Sequence, residues 1–159
     1  MNPYVVIDIG GTSIKYGLAD AKGQLLETHE MPTEAQKGGP HILNTTKEIV
    51  ARYLKKHPLA GVAISSAGMV DPDKGEIFYA GPQIPNYAGT QFKKEIEETF
   101  QIPCEIENDV NCAGLAEVTT GHAKGSNNAV CLTIGTGIGG CLLLDGQVFH
   151  GFSNSACEV

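Results

Sequence analysis

Apolar residues recur along this chain in short runs broken by glycine. Residues 4–7 form one such run and residues 14–19 alternate apolar with polar. Between them lies Asp8-Ile9-Gly10-Gly11-Thr12-Ser13. The pattern predicts strand, tight glycine turn, strand. Residues 24–31, after the turn Ala21-Lys22-Gly23, predict a third strand and so an antiparallel meander. Pro40 suits the first turn of a helix. Behind it Ile42, Leu43, Thr46, Ile49, Val50, Tyr53 and Leu54 recur at helical spacing through residue 56, a core-facing stripe. Residues 59–65 are apolar without alternation, which predicts a strand buried on both faces. Thr90 is placed to cap a helix with Phe92, Ile96 and Phe100 on one side. A strand at 102–106 then gives way, at Asn108-Asp109, to a helix whose Ala113, Gly114 and Ala116 are small enough for close packing.

The hairpin motif recurs near the other end. Residues 129–134 are an apolar strand, Gly135-Thr136-Gly137-Ile138-Gly139-Gly140 is a second glycine turn, and residues 141–144 continue as strand. Asp145-Gly146 is a two-residue hairpin signal, with residues 147–150 pairing back. Two such hairpins suggest two related lobes facing one nucleotide. The polar, glycine-punctuated segment 119–128 marks the boundary, so that residues 1–118 form one lobe and 119–159 a linker and the beginning of a second.

Candidate chemistry follows from the first turn. Gly10 and Gly11 expose backbone amides with no side chain before them, Thr12 adds a hydroxyl and Lys15 a cation. Together they make a phosphate cradle. Asp8, at the strand end, is the carboxylate that a Mg²⁺ ion beside those phosphates would take. A plain β-hairpin with a glycine bend is the alternative for Gly-Gly-Thr alone. The loop after residues 59–65, Ser65 to Pro72, is either a pocket wall, since ligands sit outside the carboxyl ends of strands in α/β sheets, or a surface turn. Asn86 lies in the long loop 81–89, a length often associated with function. Asn108 and Asp109 are either helix caps or part of a site, and with Asn111 they put three short polar residues in four positions. Gly135, Gly137 and Gly140 also match a dinucleotide fingerprint, with Glu158 near its acidic position. That pattern requires a helix directly after the glycines, where this chain has an apolar run ended by Asp-Gly, so an NAD-binding domain is the minor alternative.

Length and charge narrow the classes. The 159 residues suffice for one domain, or for one lobe and part of another. A formal net charge of −7, with Arg52 as the only arginine, argues against nucleic-acid binding. Five cysteines without C-x-x-C spacing read as reduced thiols, and five scattered histidines give no zinc site within this chain. No apolar run approaches a membrane span, and Met1 leads straight into a strand without a signal peptide, so a cytoplasmic protein is expected.

With these motifs in order, the sequence resembles the ROK (repressor, open reading frame, kinase) family of sugar kinases. Asp8 to Lys15 looks like its first phosphate motif and residues 107–112 look like its catalytic segment. Residues 132–140 look like its second phosphate motif, and Ser155-Ala156-Cys157-Glu158 like the start of its sugar-contacting signature. The resemblance implies an α/β fold of the actin-like ATPase (ribonuclease H-like) type: a lobe with a mixed sheet, followed by the first strands of a second, similar lobe. It implies ATP and Mg²⁺ as cofactors, with Asp8, Gly10, Gly11, Thr12, Lys15, Gly135, Thr136 and Gly137 on the nucleotide side. It implies Asp109 as the base that takes a proton from a sugar hydroxyl. Asn108 and Glu158 would hydrogen-bond sugar hydroxyls, with Gly68 in the pocket wall and Asn86 added from its loop. It also implies a homodimer for the complete protein. A non-catalytic sugar-binding or sensing module is the second reading. Cys157 departs from the signature, which has glycine there. The family's repressors carry a DNA-binding segment ahead of the first strand, for which there is no room before Tyr4, so a regulator is a poor reading.

Overall fold

The computed structural model describes residues 1–135 and 137–158. The chain divides into two compact units, Met1–Glu107 and Asn108–Val159. The first is built on a five-stranded sheet of order β3-β2-β1-β4-β7. Strands β1 (Tyr4–Ile9), β2 (Ser13–Ala19) and β3 (Leu25–Pro32) form the antiparallel meander, while β4 (Gly61–Ser66) runs parallel to β1, so the sheet is mixed. Strand β7 (Cys104–Asn108) completes it.

Alternation decides what the sheet buries. Val5, Ile7 and Ile9 of β1, Val62 and Ile64 of β4 and Ile106 of β7 share one apolar cluster with the helices. Helix α1 (Gly39–Leu54) carries Pro40 in its first turn and contributes Ile42, Ile49, Val50 and Tyr53. Helix α2 (Phe92–Phe100) contributes Phe92 and Ile96. The intervening residues Asp8 and Ala63 are exposed. Strand β4 is therefore buried on one face, not on both. Its apolar run reflects composition, because a residue as small as Ala63 reads as apolar without any helix lying over it.

Two further differences concern loops. Thr90 does not cap α2. Its hydroxyl donates to the Tyr87 carbonyl at 2.7 Å, and the cap position is Gln91, which makes no side-chain cap bond. The chain after β4 forms a two-stranded ribbon, β5 (Met69–Asp71) with β6 (Glu76–Tyr79). Its turn is set by Asp71, whose Oδ1 accepts from the amides of Asp73 and Lys74, both at 3.1 Å. That local side-chain-to-backbone bonding is typical of turn aspartates.

The second unit is simpler. Helix α3 (Asp109–Thr119) packs on an antiparallel sheet of order β10-β9-β8, made of β8 (Ala129–Ile134), β9 (Ile138–Leu144) and β10 (Gln147–Val148). The three strands repeat the meander that opens the chain. Asp145 and Gly146 both take positive φ, 52° and 75°, as a tight two-residue hairpin requires. A Cβ on Gly114 would lie 2.6 Å from Cys141 Sγ, so glycine is what lets α3 approach β9. A strand, and not a helix, follows Gly135 and Gly137, which removes the dinucleotide fingerprint.

Candidate functional site

In the first unit, Gly10, Gly11 and Thr12 join β1 to β2, with the Gly10 amide donating to the Ser13 carbonyl at 2.9 Å. A Cβ on Gly11 would meet no atom within 4 Å, and the residue does not take positive φ. Neither packing nor backbone conformation within the chain demands glycine there. Asp8 is exposed at the end of β1, directly across from Lys15 of β2 and Ser65 of β4. Ser65 Oγ donates to Asp8 Oδ1 at 2.9 Å. The pattern of residues did not mark Ser65 as a partner of Asp8, because only the parallel register of β1 and β4 brings them together. An exposed carboxylate beside an open amide loop and a lysine is a donor set that fits a hard cation and the phosphates it accompanies.

The second unit holds the other two candidate carboxylates, Asp109 and Glu158. Asn108 caps α3, its side-chain oxygen accepting from the amides of Val110 at 3.0 Å and Asn111 at 3.2 Å. Asp109 opens the helix, and its Oδ1 accepts from the Val110 amide at 2.9 Å. Far along the chain, residues 155–158 return against β9. A Cβ on Gly140 would lie 2.6 Å from the Cys157 carbonyl oxygen, so that glycine makes room for the returning segment. The fold thereby brings Glu158 within electrostatic range of Asp109. Partial loss of water around the carboxyl, and then the negative charge of Asp109, raise the Glu158 carboxyl above its ordinary value.

That shift has a signed consequence. A carboxyl raised in the fold keeps its proton when the unfolded chain has already released it. Stability contributed by this group is therefore full below the unfolded value of 4.5 and declines as pH rises through the folded value. Glu158→Gln is expected to flatten this part of the profile. Melting temperatures of the two proteins measured from acid to neutral pH should converge at the acid end; parallel profiles would show that Glu158 is not strained by its surroundings.

The second glycine loop separates into two kinds of glycine. A Cβ on Gly135 or Gly137 would meet nothing within 4 Å, whereas one on Gly139 would lie 2.5 Å from Val110 Cγ2. The first two face open space; Gly139 and Gly140 serve packing. Thr136 lies outside the described residues.

Gly68 and Asn86 are accounted for differently. Gly68 has φ of +90°, and a Cβ on it would lie 3.1 Å from the Tyr79 carbonyl, so conformation alone explains its glycine. The neighbouring Ala67 amide donates to the Ile9 carbonyl at 2.9 Å, which ties this loop to the end of β1. Asn86 is exposed, in left-handed conformation, and lines a shallow cleft with Pro40, Leu43 and Glu95 in which Gly68 takes no part.

The model of the ROK family matches residues 4–159. The chain belongs to the ROK family. An uncharacterised protein of Clostridium perfringens is 54% identical over 100% of this chain and 54% of its own length. A glucokinase of Halalkalibacterium halodurans is 31% identical over 98% of this chain and 48% of its own. Among solved structures, a ROK family glucokinase of Streptomyces griseus in complex with glucose and AMPPNP matches with a TM-score of 0.85. It is 29% identical, covering 98% of this chain and 49% of that one. The ROK chain described here thus has the actin-like ATPase fold and spans about half the length of the curated relatives it matches. No helix among its described residues is long and apolar enough to cross a membrane. Cys157 takes φ of 65°, the left-handed region, where an L-residue costs roughly 1 kcal/mol over glycine.

Proposed function

We propose that this ROK chain belongs to an ATP-dependent sugar kinase that phosphorylates a hydroxyl of a hexose or hexose glycoside in the cytoplasm, as a dimer. The observation that carries the reading is the convergence of Asp109 and Glu158 at the start of α3, two carboxylates distant in sequence and held within range of each other's charge. Asp109 takes the proton from the acceptor hydroxyl as the hydroxyl oxygen attacks the terminal phosphorus of ATP, whose bond to the bridging oxygen breaks so that ADP leaves. Asn108, Glu158, Gly68 and Asn86 engage the sugar. Phosphoryl transfer needs chiefly positioning and charge neutralisation. The backbone at Gly11 and Gly137, where no atom of the chain would meet an added Cβ, holds the phosphates in this reading together with Gly10, Thr12, Lys15, Gly135 and Thr136. Mg²⁺, bound through Asp8, supplies neutralisation of their charge. A relative that binds glucose and AMPPNP supports the substrate and nucleotide classes.

The direct test is ADP release by the complete protein against a panel of hexoses, N-acetylhexosamines and β-glucosides. Sugar-dependent release is expected. Binding of a sugar without ADP release for any of them would favour a sensing module.

The loop assignment has its own test. Gly11→Val puts a branched side chain where a phosphate must meet the backbone. Because the position is open in the chain itself, the fold should survive. AMPPNP affinity, measured by calorimetry, should fall at least ~10-fold, the scale set by losing charge-assisted hydrogen bonds. Unchanged affinity with an unchanged circular dichroism spectrum would remove this loop from the nucleotide site.

A further inference from the structure

Thr33 is wholly buried, although the strand that leads to it, β3, is an exposed edge along nearly its whole length. Both of its polar donors go to one place. Its amide donates to the Thr12 carbonyl at 2.9 Å, and its hydroxyl donates to the Gly10 carbonyl at 2.7 Å. The amide bond extends the β2–β3 ladder one step beyond the Ser13↔Pro32 pair. The hydroxyl bond crosses to the other end of the turn. One side chain and its own backbone thus clasp Gly10 and Thr12 from behind.

The consequence follows from the planar trans peptide, in which a carbonyl and the next amide point in opposite directions. With the Gly10 carbonyl turned back to Thr33, the Gly11 amide is turned to the opposite side. That is also the residue where an added Cβ would meet no atom within 4 Å. We infer that Thr33 is a positioning residue of the first phosphate loop, holding the Gly10–Gly11 peptide so that its amide faces incoming phosphate. Valine would fill the same volume, so packing alone does not require a hydroxyl there. An oriented amide is already in place when the anion arrives, which is the advantage of a preorganised donor over one that must rotate. The inference rests on the reading of this loop as a phosphate site.

The experiment uses the complete protein and three variants, Thr33→Val, Thr33→Ser and Gly11→Val, each titrated with AMPPNP and assayed for KM toward ATP and toward the sugar. Thr33→Val is expected to weaken AMPPNP and raise KM for ATP by about 3- to 10-fold, the range for one hydrogen bond. KM for the sugar should stay near the wild-type value, and Thr33→Ser, which keeps the hydroxyl, should restore nucleotide binding. Should Thr33→Val not fold, Thr33→Ala removes the same hydroxyl with less volume at stake and is read the same way. Wild-type nucleotide binding in the folded Thr33 variant, beside a loss in Gly11→Val, overturns the positioning role and leaves the loop assignment standing. Wild-type binding in Gly11→Val overturns the loop assignment and the role of Thr33 with it.

Discussion

Asp109→Asn in the complete protein is expected to lower turnover by about 10²–10⁴-fold, the usual contribution of a general base. The substitution isolates chemistry from structure. Asparagine has nearly the same shape, and its side-chain oxygen can accept from the Val110 amide as Asp109 Oδ1 does at 2.9 Å. The cap proper belongs to Asn108 and is untouched. Sugar affinity should therefore largely persist while the proton acceptor is gone. A second readout comes from Glu158, whose carboxyl is raised partly by the Asp109 charge. Neutralising position 109 should let the Glu158 carboxyl titrate at lower pH. Near-normal turnover would reduce Asp109 to the opening residue of a helix. Lost turnover together with lost sugar binding would place it in acceptor binding instead.

The residues made much of this legible, and the limits have physical reasons. Both hairpins could be read because an apolar run, a glycine turn and a second apolar run are local signals that need no partner elsewhere. Helix α1 could be read because its stripe spans several turns. Burial of β4 could not, since an apolar run states what a strand tolerates and says nothing of what lies over it. Thr90 misled for a related reason: a hydroxyl before a helix has more than one carbonyl and amide within reach, and Tyr87 took it. The partners of Asp8 and Gly10 were out of reach altogether. Ser65 meets Asp8 through parallel register, and Thr33 meets Gly10 across a strand. Neither pairing leaves a trace in local spacing. The two kinds of glycine in the second loop were likewise indistinguishable until the neighbours of each were in place. Cys157 is the converse case, a departure visible in the sequence that acquires a meaning from its positive φ.

Prepared by itself, the 159-residue chain is expected to self-associate. The cause lies in β8 and β9. Register places Val130 across from Leu142, Leu132 across from Gly140 and Ile134 across from Ile138, all on one face. Val130, Leu132 and Ile134 are 63%, 60% and 84% exposed, and Ile138 is 63% exposed. The other face is the one on which Gly114 of α3 meets Cys141 and Leu143. Cys157 covers this face at Gly140, but the exposed residues beside it form an apolar patch of the kind that drives association in water. The run 129–134 is apolar at alternate positions on both faces, as a strand covered on both sides would be. Sedimentation velocity should show mass rising with concentration. Leu132→Lys with Ile134→Lys should shift the chain toward monomer, at little cost to the fold, because substitution of exposed side chains usually changes stability by only about 0.5 kcal/mol. Equal association by the doubly charged variant would acquit this face and point to the exposed edge strand β3, with Leu25 and Leu26, as the contact. A concentration-independent monomer in the unmodified chain would show that the patch is tolerated in water as it stands.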